Sequence, residues 1–201
     1  MNLNGLCGVI HVGANAGQEC IQYAKHDLNV LWIEPLPDVF ARLQKNIKAY
    51  PKQKALNYLV GDDDDKLVTM HLCDNHGLSS SIMDFAKHPK YYPTVHFTRD
   101  IQVKMWTLDT IMKNENIDAS LYDGMVVDVQ GSEALVLKGA TETLEGMKRV
   151  QVESANFELY KDYPTEQQLG GVLAGYGMKE ISRAVFNDFG AAKCFDIVYG
   201  K

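Results

Sequence analysis

Apolar and polar positions along the chain follow two alternating periods. Cys7–Val12 (CGVIHV), Asn29–Ile33 (NVLWI) and Gly124–Val129 (GMVVDV) are short, β-branched and nearly continuous, as strands buried on both faces require. Between such runs the spacing turns helical. Gln18–His26 gathers Cys20, Ile21 and Ala24 on one side, and Asp38–Tyr50 gathers Val39, Phe40, Leu43, Ile47 and Tyr50 into one stripe. Lys54–Val60 and Lys148–Glu153 read as further strands. Leu108–Asn114, Ser132–Leu144 and Glu166–Tyr176 read as helices, with Ser132 as a cap and Gly177 as a stop. Lys66–Cys73 and Gln102–Trp106 are extended, and Lys179–Val185 with Cys194–Tyr199 forms a closing hairpin. The alternation predicts an α/β fold: a doubly wound, Rossmann-like sheet, mostly parallel, of about seven strands with a C-terminal antiparallel hairpin. Asp74–Arg99 breaks the pattern with Gly77, three serines, Pro89 and Pro93, and long loops of this kind are functional or mobile.

A chain of 201 residues suits one domain, residues 1–201, with enough buried surface to dispense with staples. The net charge of −6 offers no basic face for nucleic acid. No apolar run approaches the roughly 18 residues of a membrane span, and the N-terminus lacks the charge and apolar core of a signal peptide. Cys7, Cys20, Cys73 and Cys194 are scattered without a Cys-x-x-Cys pair, so reduced thiols and a cytoplasmic, reducing compartment are expected.

The first candidate chemistry is the strand–glycine–helix opening. Strand one runs into Gly13-Ala14-Asn15-Ala16-Gly17, and Glu34-Pro35 closes strand two 17 residues beyond Gly17. Glycines let a ligand approach the backbone, and a carboxylate at the second strand tip accepts from ribose hydroxyls. A dinucleotide turn wants Gly-x-Gly-x-x-Gly to seat a pyrophosphate. The Gly-x-x-x-Gly spacing here fits S-adenosyl-L-methionine better, a ligand with a ribose and no phosphate. Asn15 could serve its methionine end with a donor and an acceptor.

With these residues in place the chain resembles the FkbM-type methyltransferases, a class I S-adenosylmethionine-dependent family. The resemblance rests on Val12–Gly17, Glu34-Pro35-Leu36-Pro37, Ser79-Ser80-Ser81, Thr107-Leu108-Asp109, Asp128-Val129-Gln130-Gly131-Ser132-Glu133, Val136–Ala140, Glu153 and Glu158-Leu159-Tyr160, in that order. It implies O-methylation of a sugar or another glycosylated product, so a carbohydrate or glycoconjugate acceptor is the expected partner. Many members carry Glu where Gln130 stands. The short lead before strand one suggests a module cut from a longer polypeptide, fused to glycosyltransferase domains.

Methyl transfer to a hydroxyl asks for alignment and for removal of a proton. Asp128 and Glu153, at the tips of the fourth and fifth strands, are the candidates. In one scheme Asp128 is the general base and Glu153 orients the acceptor. In the other they bind Mg²⁺ or Mn²⁺ with Asn156 or a water. His88, in the long loop, is a third catalytic candidate because an ordinary imidazole titrates near neutrality. Gly13, Ala14, Asn15, Gly17, Glu34, Pro35, Asp62 and Ser80 are the expected cofactor contacts, Asp62 through the adenine amine. His71, Cys73 and His76 lack a fourth ligand for zinc. Two rival readings stay open: a nicotinamide-dependent oxidoreductase, and a catalytically silent scaffold of the same fold.

Overall fold

The computed structural model describes residues 1–201. In chain order the strands are β1 (Gly8–Val12), β2 (Asn29–Ile33), β3 (Gln53–Leu56), β4 (Leu59–Val60), β5 (Lys66–Cys73), β6 (Phe97–Trp106), β7 (Gly124–Val127), β8 (Arg149–Ala155), β9 (Lys179–Phe189) and β10 (Ala192–Gly200). The helices are α1 (Cys20–Lys25), α2 (Pro37–Ile47), α3 (His88–Tyr91), α4 (Leu108–Asn114), α5 (Glu133–Lys138), α6 (Thr141–Gly146) and α7 (Glu166–Ala174). Seven strands form the main sheet in the order β3-β2-β1-β7-β8-β10-β9. The first five pair in parallel, and β10 and β9 join as the antiparallel hairpin. The expected architecture is therefore the observed one. The chain leaves β1 toward β2 on one side and returns to β7 on the other, which opens a crevice at the carboxyl ends of β1 and β7.

Two cores sandwich this sheet. Ile10, Val12, Leu31 and Val127 point to the face covered by α4, α5, α6 and α7. Val9, Val30 and Trp32 point to the other, where Cys20 and Tyr23 of α1 and Leu43 and Ile47 of α2 cover them. Adjacent strands place His11 beside Trp32, and the rings stack at 5.0 Å.

The structure departs from the sequence pattern in four places, each with a physical cause. The strand expected over Lys54–Val60 is two strands. β3 stays in the main sheet, whereas β4 pairs with β6 in a second sheet of order β4-β6-β5. The switch falls at Asn57, whose amide donates to the carbonyls of Glu34 at 2.7 Å and Pro35 at 3.0 Å. The helix expected over Ser132–Leu144 breaks into α5 and α6, because a capping centre lies across its middle. Asp109 accepts from Glu142 N at 2.8 Å and Thr143 N at 2.9 Å, starting α6 anew. Gly139 sits against the Gly61 carbonyl, 1.9 Å from where a Cβ would be. Ser132 does not cap α5 with its side chain; its hydroxyl turns back to the Val129 carbonyl at 3.3 Å. The long loop is largely pinned, with α3 inside it and β6 starting at Phe97.

Candidate functional site

Gly13 ends β1 with φ at 82°, and a Cβ there would lie 1.7 Å from the Asp128 carbonyl. Only glycine permits the turn to sit so close to the end of β7. The amides of Gly13 and Ala14 both donate to the Ile33 carbonyl, at 3.0 and 3.1 Å, which ties the tips of β1 and β2 together. Between these tips, β4 and the segment after β5 lies a cleft. Its wall is mixed. Ile33, Leu59 and Val60 give an apolar side, and Asn15, Glu34, Ser80 and Asp128 give polar groups.

Glu34 is the fixed point of this cleft. It is 5% exposed, and its two carboxylate oxygens accept from Asn15 N and Leu36 N, each at 2.9 Å. Burial pushes its pKa up to about 7, with those two amides and the Arg42 charge pulling the other way. Each oxygen keeps a free lone pair, so the carboxylate can still accept from a pair of vicinal hydroxyls.

The cofactor candidates divide on inspection. Gly13, Asn15, Glu34, Pro35 and Ser80 line the cleft. Ala14 and Gly17 do not. Ala14 is buried in the core under α1, and Gly17 packs against Leu43, with φ at 70°. Their role is to shape the turn. The Asn15 carboxamide is engaged in the same task, accepting from Ala16 N at 2.8 Å and Gln18 Nε2 at 3.3 Å. Asp62 is exposed and outside the cleft, whose wall on that side is Tyr58, Leu59 and Val60. Its neighbour Asp64 instead braces the start of α4, accepting from Thr107 N at 2.8 Å and Thr110 Oγ1 at 2.7 Å.

Beyond the cleft lies an acidic centre. Asp128 follows β7 and Glu153 lies in β8, within hydrogen-bonding reach of each other. Burial first, and then the Asp128 charge, raise the Glu153 pKa well above the usual carboxylate range. Glu133, in the first turn of α5, is fully buried. One of its oxygens accepts from Val129 N at 3.2 Å and Gly131 N at 3.1 Å, the other has no partner, and burial raises its pKa to about 7. Neither Gln130 nor Glu133 was singled out by motif as a site residue. Gln130 has φ at 57° and sits in the middle of the centre.

His88 requires correction. It is 1% exposed, outside the cleft, and stacked on Phe85 with ring centroids 4.0 Å apart. Burial lowers its pKa to about 4, so at neutral pH it is an uncharged ring and a poor base for this chemistry. Its Nε2 lies 3.3 Å from Ser79 Oγ, and the Ser79 carbonyl lies 3.3 Å from the Tyr160 hydroxyl, whose one proton goes to the nearer Gln130 Oε1 at 2.8 Å. His88 thus supports the wall around Tyr160. Asn156 is also placed away from the role expected of it. Its carboxamide donates to Ala191 O at 3.0 Å and accepts from Lys193 N at 2.8 Å, bracing the hairpin. Nowhere in the chain are three or more His, Cys, Asp or Glu side chains arranged to hold a metal ion. No helix is long and apolar enough to cross a membrane.

Comparison with known proteins gives three findings. The family described as "Methyltransferase FkbM domain" matches residues 11–180. A curated protein, 2-O-methyltransferase NoeI of Sinorhizobium fredii (strain NBRC 101917 / NGR234), is 24% identical over 161 residues. That match covers 76% of this chain and 65% of the relative, so the chain spans a little under two thirds of that protein's length. Among solved structures, magnesium protoporphyrin IX methyltransferase (ChlM) from Synechocystis PCC 6803 with bound SAH superposes with a TM-score of 0.53 at 12% identity, covering 100% of this chain and 75% of that one. Streptococcus pneumoniae Sp1610 in complex with S-adenosyl-L-methionine gives 0.51 at 10% identity, covering 96% and 64%. At such identities the likeness is one of fold.

Proposed function

The chain belongs to the FkbM family of methyltransferase domains, and from that membership we propose that it is an S-adenosyl-L-methionine-dependent O-methyltransferase acting on a sugar hydroxyl. The observation that carries this reading is the meeting of two features at Asp128. That residue lines the cleft that Glu34 anchors and also belongs to the acidic pair with Glu153. A methyl donor and a proton acceptor have to be neighbours for an alcohol to be methylated.

The residues present suit the donor. The Glu34 carboxylate would take the ribose hydroxyls, and the apolar wall of Leu59 and Val60 would take the adenine. Bound there, the sulfonium supplies the methyl group. Transfer would leave the C–S electron pair on sulfur, and Asp128 and Glu153 would take up the proton that the acceptor hydroxyl releases. Oxygen as the acceptor is supported by the curated relative, which is named a 2-O-methyltransferase, and by the need of a neutral alcohol for a base. Polar groups around Glu153, including Gln151 and Asp196, suit an acceptor rich in hydroxyls.

The test is incubation with labelled S-adenosyl-L-methionine and a panel of hexose and deoxysugar glycosides, read by mass spectrometry. A product heavier by one methyl group on a sugar oxygen is expected. Asp128→Asn should retain the cofactor and lose turnover by about 100-fold or more. Tight NAD binding without S-adenosyl-L-methionine binding would overturn the reading.

A further inference from the structure

One side chain joins the two acids of the centre without itself titrating. Gln130 Nε2 donates to Asp128 Oδ1 at 2.6 Å and to Glu153 Oε2 at 3.0 Å. An amide nitrogen has two hydrogens, so both donors are spent on the pair. The amide oxygen accepts from the Tyr160 hydroxyl at 2.8 Å. Tyr160 is fully buried, and burial holds its phenol well above the ordinary range, so it remains a donor. A donor at that position decides which end of the amide faces the acids.

The backbone is pinned as well. Ser81 Oγ donates to the Gln130 carbonyl at 2.6 Å. At Gly131 a Cβ would lie 3.0 Å from the Tyr160 side chain, so the turn is seated directly on that ring. Gln130 keeps a left-handed φ of 57°, a conformation that residues other than glycine seldom adopt.

We propose that Gln130 is a positioning residue whose carboxamide, oriented by the Tyr160 hydroxyl, holds Asp128 and Glu153 as a pair sharing one proton and one charge. Two neighbouring carboxyls cannot both ionise cheaply in a buried site, and two N–H donors favour the singly charged state over the neutral one. The other groups facing the pair do not replace them. Glu34 at the β2 tip, Glu133 of α5, Cys194 and Asp196 of β10, Tyr160, Tyr163 and Tyr92 are acids or neutral groups. His11 of β1 is kept uncharged by burial, and Glu19 ahead of α1 adds a further acid. The Met1 ammonium is bonded to Gln151 at 2.6 Å and acts on Asp196. The shared proton is a property of the free protein. Its use in taking up the acceptor's proton rests on the methyltransferase reading.

The experiment is a carbon-13 NMR titration of the whole protein labelled at Asp and Glu carboxyls, with the Glu153 signal assigned through Glu153→Gln. Gln130→Met keeps the volume and removes both donors. The first ionisation of the pair should move up by about one pH unit or more. Tyr160→Phe frees the amide to turn and should move it in the same direction by less. Midpoints unchanged in both folded variants overturn the proposal. If Gln130→Met fails to fold, Tyr160→Phe decides it. In turnover, the acidic limb of kcat against pH should move with the titration while KM for S-adenosyl-L-methionine holds; a fall at every pH with a fixed limb is the signature of a merely structural residue and also overturns it. Failure of the wild type to bind S-adenosyl-L-methionine would count against the methyltransferase reading alone, since the titration is made on the free protein.

Discussion

Glu34 and Glu153 are buried carboxyls in adjoining hollows that share Asp128, held in opposite ways. Glu34 accepts from two backbone amides, Asn15 and Leu36, which the turns after β1 and β2 fix in space. Glu153 accepts from the side chain of Gln130 and shares its surroundings with Asp128 and Glu133. The first arrangement is part of the fold and can be altered only by altering the turn. The second depends on three side chains from separate segments, Gln130, Tyr160 and Ser81, and each can be changed alone. Grip on a cofactor and readiness to take a proton are thus controlled by different kinds of contact.

The harshest way to break that contrast is to strike both ends together. Gly13→Ala places a methyl against the Asp128 carbonyl at a φ of 82°. A loss of about 3–5 kcal/mol of stability is expected in urea unfolding, with both sites damaged. A sharper cut separates them. Glu34→Ala should weaken S-adenosyl-L-methionine in calorimetry by about 100-fold, or ~3 kcal/mol for two charged hydrogen bonds. Glu153→Gln should leave that affinity within about threefold. Equal losses in the two variants would show that the ends are not independent.

Proton linkage gives the next effect. Glu133 ionises near 7 when folded against an ordinary value of 4.5, because it is buried. Between those values the folded protein binds more protons than the unfolded chain, so this residue makes stability fall as pH rises, the loss being complete above about 7. The sign is the same for Glu34, whose folded value is also about 7. Relative to wild type, Glu133→Gln should gain on the order of 2–3 kcal/mol between about pH 5 and about pH 8, read by urea unfolding at each pH. The smallest effect belongs to Asn57. Replacing it with Ala removes two hydrogen bonds at the β2 tip, and a loss of about 1–2 kcal/mol is expected by thermal unfolding.

The contrast also explains what could be read from the chain alone. The β1 turn and Glu34 lie 17 residues apart, and that spacing carries a geometric demand, so a ligand crevice was expected at these two strand tips. Asp128 was legible as the residue just past a strand, whereas Glu153, expected at a strand end, lies inside β8, two residues before its end. The clamp was not, because Gln130 meets Tyr160 and Ser81 only through the folding of remote segments. Its left-handed backbone had no local marker beyond the glycine that follows. Apolar period alone hid the break between α5 and α6, since Asp109, which causes it, lies about thirty residues upstream. His88 shows the converse error. A histidine just ahead of Pro89 and Tyr91-Tyr92 reads as loop chemistry, whereas the stack on Phe85 buries it.

Asn57 has a wider consequence. It stands where the backbone passes from the main sheet to the small one, and its amide is fastened to the residues that carry the cofactor's anchor. The small sheet also lines the crevice, through Leu59, Val60 and Met70, so filling it should be felt along that ladder. Slower amide exchange along β5 and β6 on filling would be the audible trace of that mechanical link.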